Sequence, residues 1–250
     1  MRSRLRQIPQ LLRTPVGRRR LLRGALARFD RLILPLARWY RRTALRRTRV
    51  VAVVGSFGKT TTARAVKAAL GIRDFSQASN TRVGIALALC RMRPWHRFGV
   101  IEVGIGRPGE MSPYADLVRP DIVVVTCVGT EHLSSMKSLD VTRHEKAEMV
   151  RALPAAGVAI LNGDDPNVLW MAGETQARVV TFGFRETNDV WASESWLDWP
   201  RGMVVRLRIG SWTADLHTGL VGRHSLLSLV AAAAVADSQG LPLEDMAARL

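Results

Sequence analysis

The sequence predicts an α/β fold: a parallel sheet around a phosphate-binding loop, flanked by helices, with a small antiparallel sheet toward the C-terminal part and a helical basic tail at the N-terminus. Three observations predict it. The wholly apolar run Val50 to Val54 enters a glycine turn and a Lys-Thr pair that open an Ala-rich helical stretch. Short β-branched runs then alternate with helical segments as far as Phe182, the pattern of a parallel sheet with crossover helices. Beyond that point, residues 188–218 become Trp-rich and alternate apolar with basic positions, which suits antiparallel strands.

Taken in order, residues 1–49 form the tail, expected as helices separate from the α/β core, with the clusters Arg18-Arg19-Arg20, Arg41-Arg42 and Arg46-Arg47. Leu21, Leu22, Leu26 and Phe29 recur at helical spacing, as do Leu32, Ile33, Leu36 and Trp39-Tyr40. Residues 1–50 hold sixteen arginines against one acid, Asp30, so they carry +15 of the +16 net charge and leave a nearly neutral body. Arginines on one helix face and Leu, Trp and Tyr on the other suit an anionic membrane surface, which attracts basic residues at about 1 kcal/mol each. A solvated helix that packs on its own domain or on a partner fits the same pattern. Nucleic acid ranks behind both, because the body is neutral.

The run Val50 to Val54 fits a strand buried on both faces. Gly55 and Gly58 allow a tight turn whose N–H groups approach a phosphate, and the helix from about Thr60 to Leu70 points its positive dipole end at the same anion. Lys59 would meet the β/γ-phosphates and the Thr60 hydroxyl the accompanying Mg²⁺. The motif is the shorter G-x-x-G-K-T, since Val53 stands where the full P-loop pattern has glycine. A glycine turn with a stray lysine would look the same in isolation. The strand before it and the helix after it supply the context that the phosphate-binding reading requires.

Residues 77–84 read as a loop leading into a short apolar helix, Ile85 to Cys90. Phe98 to Gly104 is a strand with one acid, Glu102, inside it. A buried carboxylate costs several kcal/mol unless it is paired or meets a cation. Ligands of parallel sheets bind at the carboxyl ends of strands, so a metal-side role for Glu102 outweighs a structural pair. A helix begins near Pro108 and ends near Val118, and Asp121 to Thr126 is the cleanest strand. His132, in the loop that follows, is read by the same strand-end logic as a possible third partner of Mg²⁺ beside Thr60 and Glu102, or as an ordinary polar loop residue. Leu139 to Leu153 is helical and contains Lys146, which by pattern alone belongs on a solvated face. Val158 to Leu161 and Val179 to Phe182 are strands, Gly222 opens a long Ala/Leu/Val helix to about Ser238, and Pro242 begins another that Leu250 interrupts.

Cys90 and Cys127 have neither metal nor redox spacing and read as free thiols of a reducing cytosol. No signal peptide is evident, and the apolar stretches of the tail are shorter than the roughly 18–20 residues a spanning helix needs. The expected location is therefore the cytoplasm, peripheral at the inner membrane face if the tail binds lipid.

Assembled, these residues resemble the Mur ligase family, the ATP-dependent acid–amino acid ligases of peptidoglycan assembly. The resemblance covers residues 50–250. It rests on Gly55-Ser56-Phe57-Gly58-Lys59-Thr60-Thr61, Asn80 with Val83-Gly84, Ile101-Glu102-Val103-Gly104, Glu131-His132-Leu133, Lys146, Leu161 to Asn167, and Gly222-Arg223-His224. Spacing from His132 to Lys146 and the Asp164-Asp165-Pro166-Asn167 turn look most like the D-alanyl-D-alanine-adding branch.

That resemblance implies a chemistry and its residues. ATP phosphorylates a substrate carboxylate, such as that of a UDP-muramoyl peptide, and an amino acid or dipeptide amine attacks the acyl phosphate to give an amide. Lys59 and the loop amides of residues 55–61 would stabilise the transferring phosphoryl group, and Thr60, Glu102 and His132 would hold magnesium. Asn80 matches an adenine-side asparagine, and Lys146 a position that some members carbamylate. Three departures stand out: Ser225 and Ser228 replace asparagines near the adenine, the arginine tail replaces the UDP-sugar-binding domain, and the C-terminal ligase domain is absent. A fragment, or a chain that needs a partner, is thus expected. Two other classes compete: a different P-loop kinase or ATPase, and a membrane-surface scaffold that retains a nucleotide fold.

Overall fold

The computed structural model describes residues 30–73, 80–129, 138–219 and 222–250. In chain order the elements are α1 (Asp30–Thr43), β1 (Arg49–Val54), α2 (Lys59–Ala69), α3 (Arg82–Arg91), β2 (Phe98–Glu102), α4 (Met111–Val118), β3 (Ile122–Val125) and α5 (Leu139–Arg151). There follow β4 (Val158–Asn162), the single turn α6 (Pro166–Leu169), β5 (Arg178–Gly183), β6 (Val190–Asp198), β7 (Gly202–Ile209), β8 (Trp212–Thr218), α7 (Arg223–Ser238) and α8 (Leu243–Ala247).

All eight strands belong to one sheet in the order β2-β1-β3-β4-β5-β6-β7-β8. Strands β1 to β5 are parallel, and β5 to β6 is also a parallel pairing, through Phe182 with Val190 and Gly183 with Trp191. The expected antiparallel strands are present as β6, β7 and β8, and they continue the parallel sheet from its edge. Their inward residues Ala192, Val205, Leu207 and Leu216 share one apolar cluster with β1, β3 and α7, which removes any boundary between two sheets.

The alternation of side chains along β1 divides the core. Val51 and Val53 face α2 and α7, while Val50, Ala52 and Val54 face α3, α4 and α5. Both faces being covered, β1 is apolar at five successive positions, as parallel strands are. Helix α7 is buried nearly all round from Leu229 to Ala236, and its alanines let it lie close against Ala63, Ala65 and Ala69 of α2. The chain runs from β1 outward to β2 and then back across to β3. That reversal opens a crevice at the carboxyl ends of β1 and β3, where such sheets bind ligands.

One expectation is corrected. Residues 30–48 of the basic tail pack onto the α/β core instead of standing apart from it, and the rest of the tail, 1–29, lies outside the described residues. Ala37 and Leu45 are fully buried, and the Tyr40 hydroxyl donates to the Met92 carbonyl at 2.8 Å. Arg41 is the reason. Its guanidinium donates to the carbonyls of Val118 (2.9 Å), Leu45 (2.9 Å) and Arg119 (2.6 Å) and to the Asp121 carboxylate (2.7 Å). Asp121 also accepts from the Val50 amide at 2.8 Å, so this one cluster ties α1 to the starts of β1 and β3. Burial lowers the Arg41 pKa, with Asp121 opposing that shift. In the sequence Arg41 is one arginine among sixteen, and nothing marks it as the buried one.

Arg41→Ala should therefore destabilise the domain by on the order of 3 kcal/mol, because several carbonyls and part of a carboxylate lose their donor together. Arg41→Lys should recover less than half of that, since an ammonium cannot reproduce the planar fork. Denaturant melts of the two variants against the parent check both.

Candidate functional site

The turn after β1 is shaped by two close approaches. Gly55 has φ 148°, and a Cβ there would lie 1.9 Å from the Thr126 hydroxyl oxygen at the end of β3. Gly58 adopts the left-handed conformation (φ 79°) directly before α2, so the chain turns into the helix with no side chain to resist it. The first amides of α2 have no partner within the helix, and its dipole adds positive potential at the same end. That is an anion site made of backbone.

The loop is held from behind, on β3 and β4. Thr126 Oγ1 donates to the Phe57 carbonyl at 2.6 Å, and the Phe57 amide donates to Cys127 Sγ at 3.3 Å. Ser56, 2% exposed, accepts from the Gly129 amide at 2.8 Å and donates to the Gly129 carbonyl at 3.2 Å. Among the expected phosphate-loop residues, Ser56 thus turns its side chain to the scaffold, while Phe57 leaves its ring 61% exposed above Gly129. Asn162 Nδ2 donates to the Thr126 carbonyl at 2.7 Å, and Asp165 accepts from the Val128 amide at 2.8 Å. Asp164 accepts from the Phe184 amide (2.6 Å) and from Asn188 (3.0 Å), fixing the turn between β5 and β6. The Asn162 to Pro166 stretch carries no role by sequence reasoning, and here it props the loop that props the glycine turn. Its Asn-Gly-Asp-Asp-Pro chemistry reads as a turn in the sequence, but the contacts to Thr126, Val128 and Phe184 are not encoded in any local pattern.

At the open end of the crevice the structure brings four expected residues together. Thr60 Oγ1 donates to Glu102 Oε2 at 2.7 Å, and Asn80 Nδ2 lies 3.4 Å from Glu102 Oε1. Glu102 is the last residue of β2, half-buried, and its partners are this hydroxyl and this amide. Lys59 Nζ donates to the carbonyls of Gly55 (2.9 Å) and Ser56 (2.7 Å), which keeps the ammonium over the turn. Gly104 leaves the space in which these meet: a Cβ there would lie 2.9 Å from Asn80 Nδ2 and 3.5 Å from Lys59 Cε. A hydroxyl and a carboxylate side by side are hard oxygen donors, the set that suits Mg²⁺ completed by phosphates and water. Among the described residues no three His, Cys, Asp or Glu side chains cluster as a self-sufficient metal cage. One or two protein ligands per Mg²⁺ is the usual economy beside a nucleotide.

The remaining expected residues are placed as follows. Thr61 sits half-buried in the first turn of α2. His132 lies outside the described residues, as do Glu131 and the side chains of Arg223 and His224. Lys146 is on the inward face of α5 and only 4% exposed, against the solvated position that its pattern suggests. Ser228 is also buried and accepts from the Thr62 hydroxyl at 3.0 Å, so it joins α7 to the phosphate-loop helix.

The family described as the Mur ligase middle domain matches residues 53–236. The UDP-N-acetylmuramoyl-tripeptide–D-alanyl-D-alanine ligase of Mycobacterium bovis is 34% identical over 205 residues, covering 80% of this chain and 40% of that protein. The crystal structure of MurF from Acinetobacter baumannii superposes with a TM-score of 0.78 at 26% identity, over 88% of this chain and 49% of that one. A MurF ligase from Thermotoga maritima in complex with ADP shares the fold with a TM-score of 0.74 at 21% identity, over 87% of this chain and 52% of that one. The chain thus spans less than half the length of the mycobacterial relative.

The contact between Gly55 and Thr126 yields a sharp expectation. Gly55→Ala should cost roughly 2–5 kcal/mol, combining overpacking with a positive-φ penalty. Adding Thr126→Ala should return part of that loss, because the hydroxyl is the atom in the way. Thermal melts of the single and double variants measure the coupling; strict additivity would show that the two residues do not compete for the same space.

Proposed function

Because the chain belongs to the Mur ligase family and carries its middle domain, we propose that it is the ATP-binding and phosphoryl-transferring part of an ATP-dependent acid–amino acid ligase in peptidoglycan precursor synthesis. The observation that carries this is the contact of Thr60 with Glu102 beside Lys59, at the carboxyl ends of β1 and β2. It sets a cation-binding pair next to a phosphate cradle, which a glycine turn serving only the fold has no need of.

In this reading the loop amides of residues 55–61 and the start of α2 bind the phosphates, and Lys59 swings from its carbonyl partners onto the β/γ-phosphates. Thr60 and Glu102 hold Mg²⁺, with His132 as a further ligand. Bound there, the ion neutralises charge on the phosphates during transfer. Asn80, against Glu102, lies on the nucleotide side. A substrate carboxylate oxygen attacks the γ-phosphorus, and the bond to the β-bridging oxygen breaks to release ADP. An amine then attacks the carbonyl carbon of the acyl phosphate, inorganic phosphate leaves and the amide forms. Lys146, buried on the inward face of α5, is assigned by the family resemblance to the catalytic set; if it is carbamylated, the added carboxylate would help hold a second cation.

The carboxylate substrate is proposed to be a UDP-muramoyl peptide and the amine an amino acid or dipeptide, following the mycobacterial relative named for D-alanyl-D-alanine addition. Location in the cytoplasm fits those substrates. Among the described residues no helix is long and apolar enough to cross a membrane. Association of residues 1–49 with anionic membrane surfaces is the further element of this reading, supported by the charge confined to that segment and its apolar positions at helical spacing.

Lys59→Ala should weaken ATP binding at least about tenfold and up to about a hundredfold while leaving the melting temperature nearly unchanged, from the loss of charge-assisted hydrogen bonds. Glu102→Gln should spare affinity measured in EDTA and remove most of the gain that Mg²⁺ brings. Titration calorimetry with and without Mg²⁺ reads both, and unchanged affinity in Lys59→Ala would refute the phosphate assignment. With a complete substrate pair, phosphate release that requires the amine separates a ligase from a kinase.

A further inference from the structure

Helix α1 has two apolar faces, and only one of them is used by the fold. Ala37 is buried, with Ile33, Leu34 and Tyr40 packed half-buried against the same core. On the opposite side Leu32, Leu36 and Trp39 are 70%, 57% and 60% exposed. The spacing i, i+4, i+7 puts these three in one row along the helix. A helix already anchored by Ala37 and Arg41 gains nothing in its own fold from three large side chains in water, so the row has another use.

The turn that leaves α1 adds charge to that row. Arg42 and Arg46, with Arg119 at the C-terminal end of α4, line a cavity of about 410 Å³ that the Arg41–Asp121 pair also lines. Arg42 shares Asp116 with Arg38, whereas Arg46 and Arg119 have no acidic partner among the described residues. The cavity lies at the amino ends of β1 and β3, the opposite end of the sheet from the phosphate loop. The sequence that runs into α1 continues the sign: residues 1–29 contain nine arginines and no acid.

We propose that the outward face of α1, Leu32, Leu36 and Trp39, together with Arg42, Arg46 and Arg119, is a peripheral docking surface for bilayers that carry anionic phosphate headgroups. This rests on the membrane reading above and narrows it from residues 1–49 to the outward face of α1 and the arginines that line the neighbouring cavity. Apolar side chains enter the boundary between headgroups and acyl chains, guanidinium groups meet the phosphates, and neither alone suffices for stable attachment. Charge complementarity is what selects this occupant. With the cavity end against the membrane, the phosphate loop at the far end of the strands remains open to nucleotide.

The test is cosedimentation of the full chain with vesicles of mixed phosphatidylglycerol and phosphatidylcholine, and with phosphatidylcholine alone. Three variants are compared: Leu32→Ser/Leu36→Ser/Trp39→Ser, Arg46→Gln/Arg119→Asn, and Arg18→Gln/Arg19→Gln/Arg20→Gln. Asparagine is chosen at 119 because that residue is left-handed (φ 45°), which Asn tolerates. The side chains substituted in the first two variants are exposed, and unchanged melting temperature and ATP affinity establish that each variant is folded. The first two should lose on the order of tenfold or more in partitioning to the mixed vesicles, and the third less. Binding should also fall between about 0.1 M and 1 M salt, as the Debye length shrinks from about 10 Å to about 3 Å.

If the first two variants partition like the parent while the Arg18 to Arg20 variant loses binding, membrane attachment survives and the α1 surface is refuted. A parent that binds no anionic vesicle at low salt refutes the membrane reading itself. A parent that self-associates without lipid, and becomes monomeric in the Leu/Leu/Trp variant, assigns the row to a second copy and overturns the proposal.

Discussion

The near-contact between the backbone at Gly55 and the hydroxyl of Thr126 is the constraint on which the working end of the molecule depends. It fixes how closely β1 and β3 approach at their carboxyl ends, and therefore where the turn between β1 and α2 can run. Everything below it is arranged to hold Thr126 still. Asn162 fixes its carbonyl, Asp165 fixes the amide two residues on, and Ser56 closes the circuit through Gly129. These are short, mutually oriented hydrogen bonds in partly dry surroundings, where losing one partner costs more than the net worth of the bond. A loop that must meet a highly charged ligand without rearranging has its geometry fixed by its neighbours before the ligand arrives.

The elements whose periodicity reports burial directly were legible in the sequence. Val50 to Val54 and Asp121 to Thr126 are strands because parallel strands are apolar on both faces, and the Ala-rich segment from Leu226 is a helix because it is buried all round. Thr60 was legible through the phosphate-loop motif and Glu102 through strand-end logic, and their side chains do meet. The burial of Lys146 and of Arg41 was not legible. Each is a charged residue of a kind common at surfaces, and each is buried by partners far along the chain that no local pattern encodes. The continuation of one sheet from β5 into β6 was hidden for the same reason: two paired residues decide it. The structural contacts of Thr126, Asn162 and Ser228 were not legible because their partners lie on other elements.

The arginine-rich beginning of the chain illustrates how composition misleads when residues are averaged. Read together, sixteen arginines suggest one uniform basic tail. In the fold those among the described residues divide by task. Arg41 is a buried clasp that joins α1 to the starts of two strands, Arg38 and Arg42 share Asp116, and Arg46 is exposed beside the cavity, which Arg119 also lines from further along the chain. The same residue type serves as interior donor and as surface charge because its planar fork satisfies several carbonyls at once when desolvated.

The narrow junction at β5–β6 has a consequence for how the molecule breathes. Only Phe182–Val190 and Gly183–Trp191 pair across it, yet α7 packs against β4, β5 and β6, and its Ser228 reaches Thr62 on α2. Cooperativity between the parallel core and the three antiparallel strands is therefore carried by the helix laid over the seam rather than by the seam itself. Partial opening of such a protein follows the weakest contiguous boundary, so β6 to β8 form a natural subglobal unit whose release is limited by how tightly α7 grips both sides. Because α7 also touches the phosphate-loop helix, occupancy of the crevice and protection of distant antiparallel amides are thermodynamically linked through a row of alanines.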